Sequence, residues 1–254
     1  NDTMTIVVPP LSLNGTYTID AGQATGGVNF NSFSDAVFAL NSVGVCGPVV
    51  FNVADGTYNE QIEMIEIVGA DNVNTVEFVG NTTNMTSVNL TYAAFSSTDN
   101  YTLKMDGTDW VTFRDMTISG TGATFTRVME VTNGASHNTF QKVIFSGDLA
   151  TTTTSFNKIV IYSNTGNDDD NHFMDNEIRG GSYGMYWYGS STTNLESGSV
   201  IENNLFTRQY QYGIRAQSQD NMKFRNNVFS TLSTYNFTSY GFYFGFCDNA
   251  LEVT

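Results

Sequence analysis

The chain has 254 residues, of which 25 are acidic and 10 are basic, so its formal net charge is −15 at pH 7. A surface this acidic repels phosphate backbones and anionic lipids, which argues against nucleic acid and membrane surfaces as partners. No apolar run approaches the roughly 18 residues that a membrane-spanning helix needs, so membrane insertion is not expected.

Residues 1–48 are predicted to form a leader and one capping helix. Ser32 stands three residues before Asp35, a spacing typical of a helix start. Four apolar residues then share one face at helical spacing, namely Phe33, Ala36, Val37 and Leu40. Residues 41–44 end the helix. We expect this helix to cover the apolar side chains and unpaired strand edges at one end of the β-structure that follows.

Beyond residue 49 a six-residue phrase occurs five times. Its copies occupy residues 113–118, 140–145, 173–178, 201–206 and 224–229. Successive copies begin 23 to 33 residues apart, and each copy opens and closes on an apolar residue with mostly polar residues, often Asn, between. A repeat of this length is typical of solenoids and propellers, whose units bury their apolar faces only against their neighbours.

A second apolar phrase follows each copy of the first. It occupies residues 128–131, 159–162, 184–187, 213–216 and 241–244. Each period therefore holds at least two short strands and no helical periodicity. Propellers of the WD type repeat every ~40–45 residues, and leucine-rich repeats need a Leu frame that is missing here. We predict an all-β fold, a right-handed parallel β-helix with one N-terminal capping α-helix, whose coils span residues 49–254.

Residues 249–254 look like the start of another coil and carry no closing cap. An uncapped terminal repeat exposes an apolar cross-section and a strand edge. This predicts a coil array that is truncated or continues at the C-terminus. The expected partners are therefore other copies or further segments of the same long chain.

One stretch, residues 44–62, resembles known proteins. With the helix before it, this stretch is similar to right-handed parallel β-helix segments of very large secreted proteins of Bacteroidetes-type bacteria, which the type IX system commonly exports. That resemblance covers residues 15–80 and implies an adhesive or structural function at the cell surface. Within the stretch, the motif Asp55-Gly56-Thr57-Tyr58-Asn59-Glu60 also resembles the first coil of pectin methylesterases.

The catalytic motifs of pectin methylesterases do not occur in this sequence. These are Gln-Ala-Val-Ala-Leu, Gln-Asp-Thr, Asp-Phe-Ile-Phe-Gly and Gly-Arg-Pro-Trp. His137 and His172 are the two histidines, and no Ser or Cys stands in a nucleophile motif beside either. We interpret both as solvated loop residues. A lyase or hydrolase would need clustered carboxylates with a base or paired acid. We therefore assign no catalytic residue and expect that the chain is not an enzyme.

Asp168, Asp169 and Asp170 form the densest acidic cluster of the chain. Oxygen-rich clusters suit Ca²⁺, so these three residues are a candidate calcium site. Their spacing matches no EF-hand loop, and an acidic loop is expected anyway in an acidic protein. A plain acidic loop without a metal stays open as the alternative, and no other cofactor is expected.

Strand alternation predicts an outward-facing column in the second phrase. If Met185, Ile214 and Phe242 point inward, their neighbours point outward, namely Tyr186, Tyr188, Arg215, Gln217 and Tyr243. Stacked coils would align Tyr186, Arg215 and Tyr243, so that the column stacks on sugar rings and offers a cation to a carboxylate. The alternative is a stabilising aromatic ladder with Arg215 packed between rings.

Three asparagines share the fourth position of the first phrase, namely Asn176, Asn204 and Asn227. We predict that they form a structural ladder, with each amide bonding to a neighbouring coil. Cys46 and Cys247 lie near opposite ends of the predicted rod, too far apart for the ~7 Å that disulfide Cα atoms allow. Two separate buried thiols are expected, and pairing between chains is the alternative.

Two functions follow from these patterns. The first is an extracellular structural or adhesive rod, part of a larger cell-surface or filament protein. The second is a carbohydrate-binding or polysaccharide-degrading module that uses an outer face of the last coils and takes glycans as partners. Both place the protein outside the cell or at its surface.

Overall fold

The structure, a computed structural model, describes residues 12–164, 166–233, 239–248 and 252–254. It contains one α-helix, α1 (Phe33–Val43), and two 3-10 helices at Ser97–Asp99 and Phe156–Lys158. In chain order the strands are β1 Leu13–Ile19, β2 Asn29–Phe30, β3 Val45–Val53, β4 Gly56–Asn59, β5 Ile62–Ile65, β6 Val76–Val79, β7 Val88–Tyr92, β8 Leu103–Asp106, β9 Val111–Gly120, β10 Met129–Thr132, β11 Thr139–Ser146, β12 Ile161–Ser163, β13 His172–Met174, β14 Glu177–Arg179, β15 Tyr183–Tyr188, β16 Glu196–Ser197, β17 Val200–Glu202, β18 Leu205–Thr207, β19 Tyr212–Gln217, β20 Gln219–Asp220, β21 Lys223–Arg225, β22 Val228–Ser230, β23 Tyr240–Gly245 and β24 Glu252–Val253.

The strands form a seven-stranded sheet, a fifteen-stranded sheet and a two-stranded pair of β16 with β20. The order in the seven-stranded sheet is β5-β8-β10-β12-β15-β19-β23, while the main path of the fifteen-stranded sheet includes β3-β6-β9-β11-β13-β17-β21. Neighbouring strands in both sheets are parallel. The chain passes from β12 to β13 and β14 and then returns to β15, which pairs with β12. This winding confirms the predicted all-β parallel β-helix.

The five copies of the first phrase lie on top of one another. Their first residues pair in register from coil to coil, in the order Phe113, Phe140, Phe173, Ile201 and Phe224. The Phe113 and Phe140 rings stack at 6.1 Å and those of Phe140 and Phe173 at 5.0 Å. This column runs along the axis of the core. Each of its fully buried rings contributes roughly 1.5–3 kcal/mol of hydrophobic stabilisation.

The same column continues towards the N-terminus beyond the predicted repeats. Phe78 pairs with Phe113 and Phe51 with Phe78, with ring centroids 4.6 Å and 4.9 Å apart. The coils of Phe51 and Phe78 lack the repeated six-residue phrase, which is why the sequence pattern did not align them with it.

Helix α1 begins and ends as its sequence predicts. The Ser32 hydroxyl oxygen accepts a hydrogen bond from the Asp35 N–H at 3.0 Å. Gly44 takes a positive φ of 63° just after the helix, and its N–H donates to the Leu40 carbonyl at 2.9 Å. The buried face packs on the core, with the Phe33 ring 5.1 Å from that of Tyr58. Among the described residues, no helix has the length and apolar character to cross a bilayer.

The coils begin before the predicted boundary at residue 49. Strand β1 pairs with β3 from Gly15 opposite Val49 to Ile19 opposite Val53, so part of the predicted leader is already a rung of the solenoid. Residues 1–11 lie outside the described residues. The predicted further coil at 249–254 falls partly outside them too, at 249–251, while Glu252 pairs with Lys223.

A ladder of asparagine side chains ties the turns of consecutive coils together. The Asn204 amide donates to the Phe173 carbonyl at 2.9 Å, and its oxygen accepts from the Asn176 N–H at 2.9 Å. Asn176 makes the equivalent bonds to the coil before it, and Asn227 to the coil of Asn204. The ladder therefore satisfies backbone groups that the turn removes from the sheet.

A second ladder, which the repeated phrase does not reveal, lies two residues before the phrase. The Asn138 oxygen accepts from the Val111 N–H at 3.0 Å, and the Asn171 oxygen accepts from the Asn138 N–H at 3.1 Å. Both side chains are buried. Two buried amide columns thus border the strands that carry the phenylalanine column.

Both thiols are free, but the expectation that both are buried is wrong for Cys46. Its position on β3 follows the buried Val45 and points away from the core, so the Cys46 side chain is exposed. Cys247 is half-buried.

Replacing Asn204 by Ala is expected to destabilise the protein by about 2–6 kcal/mol. The change leaves the buried Phe173 carbonyl and Asn176 N–H without partners, at roughly 1–3 kcal/mol for each group. The urea midpoint measures the effect. Asn72→Ala, at an exposed position, is the matched control and should shift stability by less than about 0.5 kcal/mol. Equal effects of the two substitutions would show that the ladder does not stabilise the coils.

Candidate functional site

The outer face of the seven-stranded sheet carries one column of polar and aromatic side chains. Its members occupy register-paired positions on successive coils, and we call them the outer column. They are Glu63, Lys104, Glu130, Tyr162, Tyr186, Arg215 and Tyr243. The first three are charged, whereas the last four comprise three tyrosines and an arginine. The column therefore changes in chemistry along the rod.

Lys104 is held by carboxylates at the charged end. Its Nζ lies 2.7 Å from Glu63 Oε1 and 2.7 Å from Asp106 Oδ2. Partial burial disfavours the charged ammonium, but the hydrogen bonds to Asp106 and Glu63 outweigh it and raise the pKa of Lys104. Lys104 is therefore protonated at neutral pH and does not act as a base there.

Arg127 joins the charged and aromatic ends. Its guanidinium carbon lies 3.8 Å from the ring centroid of Tyr162, and its Nη1 is 2.5 Å from Glu130 Oε2. A guanidinium over a tyrosine ring is a cation–π contact. The Tyr162 ring in turn stacks on that of Tyr186 at 5.5 Å. These contacts fix both Arg127 and Tyr162 in place.

Tyr186 points outward as predicted, but neighbouring rings cover it. The ring of Tyr188 stacks on it at 3.9 Å and that of Phe156 packs edge-on at 5.1 Å. Only 8% of Tyr186 is exposed. Tyr186 therefore packs beneath Tyr188 and Phe156, and its ring is not accessible to a sugar. Burial also raises the pKa of Tyr188.

Arg215 lies among tyrosines and has no carboxylate partner. Its guanidinium carbon is 5.3 Å from the ring centroid of Tyr243, 5.7 Å from that of Tyr188 and 5.8 Å from that of Tyr212. Among the described residues no carboxylate forms a salt bridge with Arg215, and its Nε–H has no acceptor.

The open rings of this face belong to the last strand of the sheet. Tyr243 is 42% exposed and Tyr240 is 48% exposed. Gln217 pairs with Tyr188 on one side and Gly245 on the other, so it borders the same area. The structure thus places four of the five predicted residues around an accessible patch, and their role in sugar binding stays a prediction.

Phe242, expected to point inward like Met185 and Ile214, is half-exposed. It does pair with Ile214 in register. Its strand, β23, lies at the edge of the seven-stranded sheet, so a neighbouring strand covers it on one side only.

Several members of the outer column were not singled out as candidates. They are Glu63, Lys104, Glu130 and Tyr162. Arg127, which packs on the Tyr162 ring beside the column, was not singled out either. Glu130 is the third residue of its copy of the second phrase, as Tyr186 is, so aligning the copies places it in the column. Tyr162 is the fourth residue of its copy, and only the pairing of β12 with β10 and β15 places it between Glu130 and Tyr186. Lys104 and Glu63 precede the first copy, and only the pairing of β5 with β8 and of β8 with β10 reveals them.

The three aspartates of the candidate calcium site make different contacts. Asp168 is fully buried and accepts from the Ser163 hydroxyl at 2.7 Å and the Gly134 N–H at 3.0 Å. An oxygen of Asp169 accepts from the Ser197 N–H at 2.6 Å, while Asp170 is half-exposed. In the described ranges, no three carboxylate, histidine or cysteine side chains are arranged to hold a metal ion. Calcium binding stays a prediction.

The interpretation of the histidines as solvated loop residues is wrong for His172. It holds in part for His137, which lies in a loop with its side chain 36% exposed. His172 begins β13 and pairs with Thr139 and Val200, and burial lowers its pKa. His137 stacks on the indole of Trp110, with ring centroids 4.1 Å apart. Both residues lie at strand entrances, where stacked coils cover part of each ring.

The family described as right-handed β-helix region matches residues 101–254. No curated protein matches the chain. Among solved structures, the rice weevil pectin methyl esterase has a TM-score of 0.56 and 10% identity, with 91% of this chain and 68% of that chain covered. A rhamnogalacturonan lyase has a TM-score of 0.58 and 12% identity, with 91% of this chain and 62% of that chain covered. A pectate lyase has a TM-score of 0.57 and 13% identity, with 91% of this chain and 58% of that chain covered.

The similarity to pectin methylesterases extends beyond the first coil, to which the sequence motif pointed, and covers most of the chain. At this level of identity the shared property is the fold. The chain spans less than two thirds of the length of the two lyases.

The expectation that the chain is not an enzyme is contradicted by these neighbours, which are esterases and lyases. The expectation rested on the absence of one esterase family's motifs. Because the same fold also carries lyases, the absence of esterase motifs does not exclude catalysis.

The buried Asp168 should make stability depend on pH. Burial raises the pKa of its carboxyl to about 6, from an ordinary value of 3.8. The folded state then binds a proton more tightly than the unfolded state, so this group's contribution to stability rises as pH falls from 7 through 6 towards 4. When the pH is lowered from 7 to 5, the free energy of unfolding of wild type should rise by on the order of 1 kcal/mol relative to that of Asp168→Asn.

Urea unfolding at pH 7, 6 and 5 measures this difference. Asp71→Asn is the control, because hydrogen bonds to Asn74 and Val73 lower the pKa of the exposed Asp71 and place its titration below this range. Parallel pH curves for wild type and Asp168→Asn would contradict the prediction.

Proposed function

Because the chain belongs to the right-handed β-helix family, we propose that it is an extracellular carbohydrate-active protein whose outer column binds an acidic polysaccharide. The fold alone does not give this function, since one fold carries many activities. The support comes from the patch around Arg215, Tyr240 and Tyr243.

The single observation that carries the proposal is the unpaired charge of Arg215. In a chain of net charge −15, carboxylates pair with many of the described cations, among them Lys104, Arg114, Arg127 and Arg225. Arg215 is surrounded by tyrosine rings instead. A guanidinium binds a carboxylate through two parallel N–H bonds, and aromatic rings pack on apolar surfaces. A uronate sugar presents a carboxylate and an apolar ring face together.

The length of the outer column suits a chain of sugars. Lys104 and Arg215 are four rungs apart along the column, through Glu130, Tyr162 and Tyr186. At ~4.8 Å per rung this separation is roughly 19 Å. A ligand that reaches from Lys104 to Arg215 is therefore extended along the rod.

The similar solved structures support the same ligand class. These enzymes are named for pectin, pectate and rhamnogalacturonan, and one pectin methylesterase, at TM-score 0.55 and 13% identity, was solved with a hexasaccharide. We propose that this chain shares the preference for acidic polysaccharides.

A structural or adhesive rod is the second candidate function, as in the type IX-exported surface proteins that residues 44–62 resemble. The two amide ladders and the phenylalanine column support it, because they link every described coil from β9 to β21 and favour a stiff solenoid. In this case other copies of the chain are the partners, and the patch around Arg215 is an aromatic ladder.

Binding to polygalacturonate tests the proposed function. Arg215→Gln should weaken binding at least tenfold, because the charge-assisted bonds to carboxylates are lost. Affinity should also fall as salt rises. Calorimetry measures binding, and release of methanol from methylated pectin or of unsaturated products measures turnover.

Arg225→Gln is the matched control, because Arg225 lies on the other sheet and pairs with Glu202 at 2.7 Å. It should bind polygalacturonate as wild type does. Dextran, which has no carboxylates, should not compete. The proposal fails if wild type does not bind polygalacturonate, or if both substitutions weaken binding equally.

A further inference from the structure

A cavity of about 310 Å³ opens on the outer face of the fifteen-stranded sheet, away from the outer column. It lies where β6, β9, β11 and β13 begin, so four consecutive coils contribute to it. Its lining residues are Thr75, Trp110, Thr112, His137, Thr139, Asp170 and His172. The volume is within the range of small-ligand pockets.

Three of the lining residues occupy the same turn position on successive coils. Trp110, His137 and Asp170 each lie three residues before the first residue of the strand phrase, and their φ angles are 61°, 59° and 52°. The next two coils place Gly198 and Asn221 there, also at positive φ. Gly and Asn adopt this conformation readily, whereas a bulky side chain is strained in it by about 1–3 kcal/mol.

Trp110 is therefore strained at a turn position where two later coils carry Gly or Asn. Strain of this kind is typically retained at functional sites. The imidazole of His137 covers one face of the indole, with the two planes 11° apart. The rings stack along the rod, so the other indole face is directed towards the coil of Thr75, whose small side chain leaves space.

The polar groups around this indole face are both donors and acceptors. Three threonine hydroxyls and the imidazole of His172 line the cavity with the Asp170 carboxylate. Burial lowers the pKa of His172, so its ring is neutral at pH 7, with one nitrogen that donates and one that accepts. Asp170 Oδ2 lies 3.6 Å from His137 Nδ1.

We propose that this cavity binds one neutral sugar residue. The C–H face of the ring packs on the free face of Trp110, and the sugar hydroxyls bond to Thr112, Thr139, His172 and Asp170. An apolar wall with several convergent polar groups is the chemistry that such a ligand needs. The cavity and Arg215 lie on different sheets, so the two sites are independent.

The chain's two tryptophans make a direct test possible. Trp187 is fully buried, so a Trp187→Phe variant leaves Trp110 as the fluorescent reporter. Titration with glucose, galactose and xylose, each alone, should give a saturable change with at least one of them and a Kd on the order of 1 mM. No saturable change with any of the three, at concentrations up to about a hundred times that value, overturns the proposal.

Trp110→Asn separates binding from a purely structural role. Asn tolerates positive φ, so stability should be unchanged or higher, while saturation-transfer NMR should show sugar binding at least tenfold weaker. Asp170→Asn gives a second measure in a variant that keeps the aromatic pair of Trp110 and His137 and should weaken binding at least threefold. Wild-type sugar affinity in both variants would show that the aromatic pair is structural.

The two sites give separate results. Arg215→Gln should leave monosaccharide binding unchanged, and Trp110→Asn should leave polygalacturonate binding unchanged. If Arg215→Gln abolishes the monosaccharide signal, the sugar binds at the outer column and the inference about the cavity is wrong.

Discussion

The structure depends on the register in which parallel strands of successive coils pair. In both sheets a residue lies beside the residue at the same position one coil away, so each choice of side chain repeats along the rod. From Phe113 to Phe173, the phenylalanine rings of successive coils stack on one another. From Asn176 to Asn227, each asparagine hydrogen-bonds to the asparagine of the next coil. The same rule aligns Tyr186 with Arg215 on the outer face. Core, ladders and candidate site are thus consequences of one pairing geometry.

Turns keep this register although the spacing of the repeats varies from 23 to 33 residues. The third residue of every phrase has a positive φ, at Asp115, Lys142, Asp175, Asn203 and Asn226. This bend, repeated in each coil, directs the chain from one strand to the next. The coils differ in length because the loops between the sheets differ in length. One such loop, residues 147–160, includes the 3-10 helix Phe156–Lys158. Loops of variable length therefore do not disturb the columns.

The sequence predicts the parts of the molecule that repeat. Helix α1, the five stacked phrases and the winding of the coils follow from apolar periodicity and a Ser cap, which are visible in one chain. The burial of Tyr186 was not predictable, because Phe156 reaches it from a loop outside the repeat. Trp110 and His137 share an offset from the phrase, but only their positive φ angles and the cavity show that this offset matters.

Cysteine pairs on the outer face test the register most directly. In a background with Cys46→Ser and Cys247→Ser, the register partners Gln141 and Met174 are replaced by cysteine. Their Cα atoms should lie ~4.8 Å apart, within disulfide reach, whereas Gln141 and His172 are offset by two residues and should exceed ~7 Å. Mass spectrometry after mild oxidation should find a disulfide in the first pair and free thiols in the second. A disulfide in the offset pair, with free thiols in the register pair, would contradict the stacking on which the account rests.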